Sequence, residues 1–238
     1  MAARPPLILT LDEVADGLHA CVGNIESLMD DADLLLEAQR FPRALSVLLI
    51  AAQEAGKTSI LLSMAGTRPE DQEHWSRLWK SYRSHAHKAA MRMIGTLPVG
   101  LTDAELAVAV LVTEDSGRAD ERARQRTLYI DLDREKRIWL TPDDVRESDV
   151  TMVRGQLAAM VTKLLSQRDR RLFSAEALRI RHEVFSAPEE AVPYEGRPAI
   201  AVALELGAQA RARYQLLGRR LREAGFDVRL ADEQVDNP

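Results

Sequence analysis

Two ionisable side chains interrupt the most apolar stretch of the sequence. Between Arg43 and Arg68 the only charged residues are Glu54 and Lys57. Burying an unpaired charge costs several kcal/mol, so each of these two side chains needs a partner or a polar cavity. Because they are three residues apart, they lie on the same face of a helix. The spacing therefore predicts either a structural ion pair or one half of a polar site.

The other half of such a site is predicted in the following segment, where residues 83–88 contain two histidines and two cations. A histidine exchanges a proton near neutral pH, a carboxylate can orient it, and cations can stabilise charge on a phosphate. Together these groups would support metal-independent cleavage of RNA with its 2′-hydroxyl as nucleophile. We therefore predict as catalytic residues His85, Lys88, Glu54, Lys57 and Arg83, with His87 as the alternative to His85.

The same residue types also occur without a catalytic role. A histidine beside an apolar face is often a core histidine whose hydrogen bonds are satisfied, and Glu54 with Lys57 can form a structural ion pair. The competing hypothesis is therefore a closed polar network in a protein that acts only by binding. The two hypotheses differ in one observable property, because a catalytic site has to be open to its substrate.

Composition limits the remaining possibilities. Of the 238 residues, 46% are hydrophobic, 29% are charged and only 5% are aromatic, which favours a packed helical protein. The net charge of -5 argues against a protein that coats nucleic acid without discrimination. The single cysteine, Cys21, lies on an apolar stripe and is predicted to be a small buried residue. We expect neither a cofactor nor a metal site.

Helices must position these residues. Apolar residues recur at spacings of three and four through most of the chain, and prolines and glycines separate the periodic segments. The second helix is apolar nearly all round and should lie at the centre of a bundle. A short β-hairpin is predicted around residues 133–136, and a short strand over 226–230. The predicted helices cover residues 11–37, 43–65, 69–97, 102–113, 143–168, 174–185 and 199–224.

These elements predict a mainly α fold, an antiparallel helical bundle with a small β-hairpin and additional C-terminal helices. The bundle should occupy residues 8–185, with its core at about 10–130. Residues 186–198 contain three prolines and form the predicted linker. Residues 199–238 form a C-terminal helix and tail. Without a secretory signal, and with charges inside the apolar stretch, we expect a cytoplasmic protein that does not cross a membrane.

Several of these segments resemble AbiV-type abortive-infection proteins, a branch of the HEPN superfamily of helical bundles. Residues 24–36 are similar to the first helix of that family, and residues 53–57 resemble its Glu-Glu-x-Gly-Lys motif. Residues 79–88 are similar to its aromatic-rich segment ending in His-x-x-Lys. A weaker downstream similarity includes residues 129–142. The close resemblance covers about residues 20–95, and a looser one reaches about 145.

The resemblance implies a HEPN-like bundle, a role in defence against phage, and growth arrest or blocked translation. Many HEPN relatives are ribonucleases that act as homodimers, so it also implies RNA as substrate, a second copy of the chain, and an antitoxin or phage protein as further partner. The alternative is a non-catalytic HEPN-like sensor, adaptor or inhibitor subunit. A third hypothesis is a partner of a nucleotidyltransferase. The family's motif positions correspond here to Glu54, Gly56, Lys57, His85 and Lys88.

Two departures from the family pattern stand out. The first acid of the Glu-Glu-x-Gly-Lys motif is replaced by Gln53, so one carboxylate remains there. The usual HEPN nuclease signature has four to six residues between an arginine and a histidine. Arg83 lies too close to His85 and His87 for that signature, and Arg77 lies too far from His85.

Overall fold

The computed structural model describes residues 5–96, 117–133, 137–187 and 199–228, and helices account for most of them. The predicted mainly α fold is confirmed. The helices are α1 (Leu11–Glu37), α2 (Phe41–Ala65), α3 (Gln72–Arg83), α4 (His85–Thr96), α5 (residues 117–128), α6 (Glu147–Asp169), α7 (Ala175–Phe185) and α8 (Ala199–Glu223). Strands β1 (Asp131–Asp133) and β2 (Ile138–Leu140) form the predicted hairpin, and Pro142–Asp144 form a 3-10 turn.

The first helix begins where the sequence predicts. The Thr10 hydroxyl accepts from the Glu13 amide at 3.2 Å, and the Glu13 carboxylate accepts from the Thr10 amide at 2.7 Å. This reciprocal capping box satisfies two backbone donors that the first turn of a helix leaves unpaired. The apolar stripe of α1, including Leu18, Val22 and Ile25, is buried against α2.

Helix α2 lies at the centre of the bundle and contacts α1, α3, α4, α6 and α7. Its buried residues point in all directions, as its apolar sequence predicts. Among the described helices, α2 is the one long and apolar enough to cross a membrane, and 67% of its most apolar window is buried inside the protein. A core helix of a soluble protein has the same length and composition.

The prediction of one helix over residues 69–97 is wrong, because the helix breaks at Ser84. The backbone of Ser84 is extended, with φ −84° and ψ 121°, which ends α3. Its carbonyl accepts from the Lys88 amide at 3.0 Å, and its hydroxyl accepts from the His87 amide at 3.3 Å. Ser84 therefore caps the start of a second helix. The break lets α4, rather than α3, pack along the middle of α2.

The C-terminal helices dock onto the bundle through α7. Arg181 donates to the Leu62 carbonyl at 2.8 Å, and the His182 ring lies 2.9 Å from the Ala65 carbonyl, so both contact the C-terminal end of α2. Helix α8 packs on α7 through a separate apolar cluster. Gly225, with φ 85°, follows α8, and residues 226–228 do not form the predicted strand. The predicted helix over residues 102–113 and most of the predicted linker lie outside the described residues.

Candidate functional site

Two glycines bring three helices together around α4. A Cβ atom on Gly56 of α2 would lie 1.8 Å from the Lys88 carbonyl oxygen, and one on Gly117 of α5 would lie 2.3 Å from the Ala86 carbonyl oxygen. Neither position can hold a larger residue unless the backbone of α4 moves. Polar residues that flank these glycines on α2, α4 and α5 consequently come close to one another.

The two charged residues of α2 pair with each other. The Lys57 ammonium lies 2.6 Å from the Glu54 carboxylate, and both side chains are mostly buried. The same ammonium lies 5.3 Å from the centre of the Tyr82 ring, a cation–π distance. Burial, the largest single cause, disfavours the charged form of Lys57, but the hydrogen bond to Glu54 and the charge of that carboxylate together outweigh burial and raise the pKa of the lysine. At neutral pH Lys57 therefore remains charged.

His85 is the first residue of α4, and its side chain is exposed but contacts Gln53 of α2. Its Nδ1 lies 2.7 Å from Oε1 of Gln53, a residue that is only 3% exposed. Nε2 of Gln53 in turn donates to the Glu121 carboxylate at 3.1 Å. Burial lowers the pKa of His85, and the nearby Lys88 ammonium lowers it further. A large fraction of the imidazole is consequently neutral at physiological pH, as a general base requires.

Glu121 anchors the other end of this chain of hydrogen bonds. The Arg124 guanidinium donates two hydrogen bonds to its carboxylate, at 3.0 and 2.8 Å, and the Gln125 amide donates a third at 2.8 Å. These contacts, led by the one from Arg124, lower the pKa of Glu121 to about 2. The carboxylate is therefore ionised and fixed in position at every physiological pH.

Lys88 is the most deeply buried cation of the cluster, with 7% of its surface exposed. Burial lowers its pKa, and so does the charge of Lys57. Within residues 5–96, 117–133, 137–187 and 199–228 its ammonium makes no hydrogen bond or ion pair. Since Lys57 pairs with Glu54 and Arg124 with Glu121, Lys88 leaves the cluster with a surplus positive charge. A negatively charged ligand such as a phosphate group would neutralise it.

Four of the five predicted catalytic residues lie in this cluster. Glu54, Lys57, His85 and Lys88 come together through the contact of α2 with α4. Arg83 does not join them, because it precedes the break at Ser84 and donates instead to the Trp79 carbonyl at 3.2 Å. Of the two histidines predicted here, His85 contacts Gln53 of the cluster. The side chain of His87 is exposed, and its backbone amide donates to the Ser84 hydroxyl that caps α4.

Sequence reasoning missed Glu121 and Arg124, which complete the cluster from α5. The sequence around them is rich in charge, which is typical of a solvated surface segment. A signal was nevertheless present: Gly117, Glu121 and Arg124 follow one another at spacings of four and three, which places them on one helical face. A glycine on that face marks the close approach of another helix.

An open recess adjoins the cluster at Glu121. It has a volume of about 480 Å³ and continues along α5 to the start of the hairpin. Two arginines and an exposed tyrosine give it a cationic and aromatic character. Its lining consists of Glu121, Arg122, Gln125, Arg126, Tyr129 and Ile130. Nowhere in the described part of the chain do three His, Cys, Asp or Glu side chains group closely enough to hold a metal ion.

Comparison with known proteins identifies the family. A model of the AbiV family, one of the HEPN families, matches residues 13–163, which is more than half of the chain. Searches of curated proteins and of solved structures find no match. The matched region contains nearly all of α1, the whole of α2 to α5 and most of α6, and hence every residue of the cluster. The chain therefore belongs to the AbiV family of abortive-infection HEPN proteins.

Proposed function

We propose that this abortive-infection protein is a toxin that cleaves RNA without a metal ion and thereby arrests growth or translation. The observation that carries the proposal is an exposed imidazole, His85, close to a buried ammonium, Lys88, which has no ion-pair partner among the residues that the structure describes. The first can move a proton at neutral pH and the second can hold negative charge on a phosphate. Both are needed for attack of a ribose 2′-hydroxyl on the adjacent phosphodiester.

The proposed reaction is a transesterification within the RNA strand. Neutral His85 takes the proton of the 2′-hydroxyl, and the resulting oxygen attacks phosphorus. The bond from phosphorus to the 5′-oxygen breaks, and that oxygen takes a proton from water. The products are a 2′,3′-cyclic phosphate and a 5′-hydroxyl. Lys88 stabilises the negative charge that develops on the non-bridging phosphate oxygens.

The recess beside Glu121 supports RNA as the substrate. Arg122 and Arg126 supply positive charge on a chain whose net charge is -5, and Tyr129 offers an exposed ring on which a base can stack. Cationic grooves with aromatic rings are typical of single-stranded nucleic-acid binding. Because Glu121 is already neutralised by Arg124, it does not cancel the positive charge of the recess.

Family membership also supports a homodimer as the working form, with an antitoxin or phage protein as a further partner. A protein that cleaves cellular RNA would act in the cytoplasm. The hairpin exposes Ile138 and Trp139, and Tyr129 and Ile130, which precede it in the sequence, are exposed as well. Exposed apolar side chains of this size often lie in protein contacts. Light scattering of the purified protein should give twice the mass of the chain. A monomeric mass would reject the homodimer.

One observation favours the alternative, a non-catalytic sensor, adaptor or inhibitor subunit. Lys88, Glu54 and Lys57 are largely closed to solvent, as a structural network would be. The exposed imidazole of His85 separates the two proposals, since a purely structural histidine has no need to face solvent. If the alternative holds, the protein should bind a partner while RNA mixed with it stays intact.

The direct test is incubation of the purified protein with total RNA in buffer containing EDTA. The proposal predicts fragments that carry 2′,3′-cyclic phosphate and 5′-hydroxyl ends. Fragments with 3′-hydroxyl and 5′-phosphate ends, or cleavage that EDTA abolishes, would contradict the proposed chemistry. Replacing the 2′-hydroxyl with a 2′-methoxy group in a short substrate should prevent cleavage entirely, because the nucleophile is then missing.

A further inference from the structure

We propose that Glu121 is a positioning residue for His85, and that it acts through the side-chain amide of Gln53. In this relay the carboxylate fixes the orientation of the amide, and the amide fixes the proton of the imidazole on Nδ1. The catalytic meaning of the relay rests on the proposed function. The position of the proton is, however, a property of the resting protein and can be measured without RNA.

Glu121 fixes the orientation of the Gln53 amide. An ionised carboxylate only accepts hydrogen bonds, so the group that faces Glu121 at 3.1 Å must be the NH2 end of the amide. The reversed amide would place its oxygen against the carboxylate. Gln53 is 3% exposed, so it cannot turn to water instead. Its carbonyl oxygen therefore faces His85.

The Gln53 amide in turn fixes the proton of the His85 imidazole. The Gln53 oxygen lies 2.7 Å from Nδ1 of His85, and this oxygen can only accept. Nδ1 must consequently carry a hydrogen and donate it. In the neutral ring the other nitrogen, Nε2, then has a free lone pair. This is the atom that can take a proton from a substrate hydroxyl.

The Glu121 carboxylate is itself held in place by its neighbours. Arg124 and Gln125 hold both oxygens of Glu121 with hydrogen bonds from the same helix. Gly117, one turn earlier, sets the distance of α5 from α4. A side chain whose own position is fixed by hydrogen bonds can hold a reacting group in one orientation. The relay thus links three helices to one imidazole.

The relay also gives a role to the departure at Gln53, where the family motif has an acid. A carboxylate in direct contact with His85 would stabilise the charged imidazolium and raise its pKa. The Gln53 amide fixes the orientation of the imidazole without adding a charge. The negative charge lies on Glu121, which contacts Gln53 and not His85. The charged groups around His85 are then Lys88, Glu121, Arg124 and Lys57, three cations and one carboxylate. The ring consequently stays neutral and oriented at neutral pH.

The test is 15N NMR of the full-length protein labelled at histidine, with the His85 signals assigned by their loss in His85→Gln. At a pH where the ring is neutral, the relay predicts a protonated Nδ1 and an unprotonated Nε2 in the wild type. In Glu121→Gln the Gln53 amide is free to reverse, and the preference for Nδ1–H should be lost. A wild-type ring that carries its proton on Nε2, or an unchanged preference in Glu121→Gln, would overturn the relay.

A swap of the two side chains provides the second test. In Gln53→Glu combined with Glu121→Gln, a carboxylate contacts Nδ1–H directly, so the Nδ1–H preference should return and the pKa of His85 should rise above that of the wild type. A double variant that lacks the Nδ1–H preference would overturn the relay. The spectra are measured without RNA and so do not depend on activity. If the predicted tautomer is found but RNA is not cleaved, only the proposed function is rejected. If RNA is cleaved but the opposite tautomer is found, only the relay is rejected.

Discussion

Oε1 of Gln53 and Nδ1 of His85 lie 2.7 Å apart, although 32 residues separate them in the sequence. The contact joins the most buried helix of the bundle to the first residue of α4. It exists because the chain breaks at Ser84 and starts a new helix against α2. If the helix continued unbroken through residue 84, His85 would lie on an extension of α3. Helix α3 packs against α2 far less closely than α4 does.

The pKa of His85 should respond to Lys88. Burial is the largest cause of the lowered pKa of His85, and the charge of Lys88 is the next. In Lys88→Met the apolar burial remains and the charge is removed, so an NMR titration should show a higher pKa for His85. Lys80→Met, which removes an exposed lysine of α3, should leave the titration unchanged. A lower pKa in the Lys88 variant would be incompatible with the arrangement described here.

The rate of RNA cleavage should follow the same ionisation. Since the base form of His85 is the active one and its pKa is lowered from 6.5, the rate should rise with pH and reach half of its plateau below pH 6.5. Initial rates with a short RNA over pH 5 to 8 would measure this. A rate that falls over this range would assign a different role to the histidine.

Gly56→Ala should destabilise the protein. The added Cβ would lie 1.8 Å from the Lys88 carbonyl, so α4 must move away from α2, at a cost of about 3 kcal/mol or more. Gly155→Ala is the matched control, because a Cβ in that exposed part of α6 meets nothing within 4 Å. It should raise the free energy of unfolding by about 0.5–1 kcal/mol. Urea denaturation would measure both; equal stability of the two variants would contradict the close contact.

Glu121 should contribute a pH-dependent part of the stability. Its pKa falls from 4.5 to about 2 in the folded protein, chiefly through the hydrogen bond from Arg124. A lowered pKa stabilises the folded state above the unfolded pKa, and this stabilisation is lost as the pH falls through the folded pKa. The difference in free energy of unfolding between wild type and Glu121→Gln should therefore be constant above pH 5 and shrink toward pH 2, by about 3 kcal/mol at most. A difference that grows on acidification would contradict the ionised pair.

Cys21 should be unreactive in the folded protein. Burial, assisted by the charge of Glu54, raises the pKa of its thiol to about 11, and the thiolate is the reactive form. Alkylation at pH 8 should be far slower than in the protein unfolded by guanidinium. Equal rates in the two states would show that the α1–α2 contact opens readily.

Patterns local to one helix made most of the fold predictable. The apolar stripe of α1 and the all-round apolar character of α2 each indicate an element without reference to the rest of the chain. The pairing of Glu54 with Lys57 follows in the same way, since an i,i+3 spacing needs no tertiary information.

The parts that were missed depend on contacts between helices. Nothing in residues 80–88 alone distinguishes a helix that continues through Ser84 from one that restarts there, because serine is compatible with both. The roles of Glu121 and Arg124 depend on where α5 packs, which a charged segment does not reveal. Gln53 was noted only as a missing acid, whereas the structure places it between two ionisable partners.

The most direct test of the account compares the cleavage of a single-stranded RNA by wild type, His85→Ala and His87→Ala. Both histidines are exposed on the first turn of α4, and only His85 contacts the cluster. Thermal unfolding should be similar for all three proteins. We predict that His85→Ala slows cleavage about 100-fold or more, while His87→Ala cleaves at the wild-type rate. Cleavage by folded His85→Ala at the wild-type rate would contradict the account.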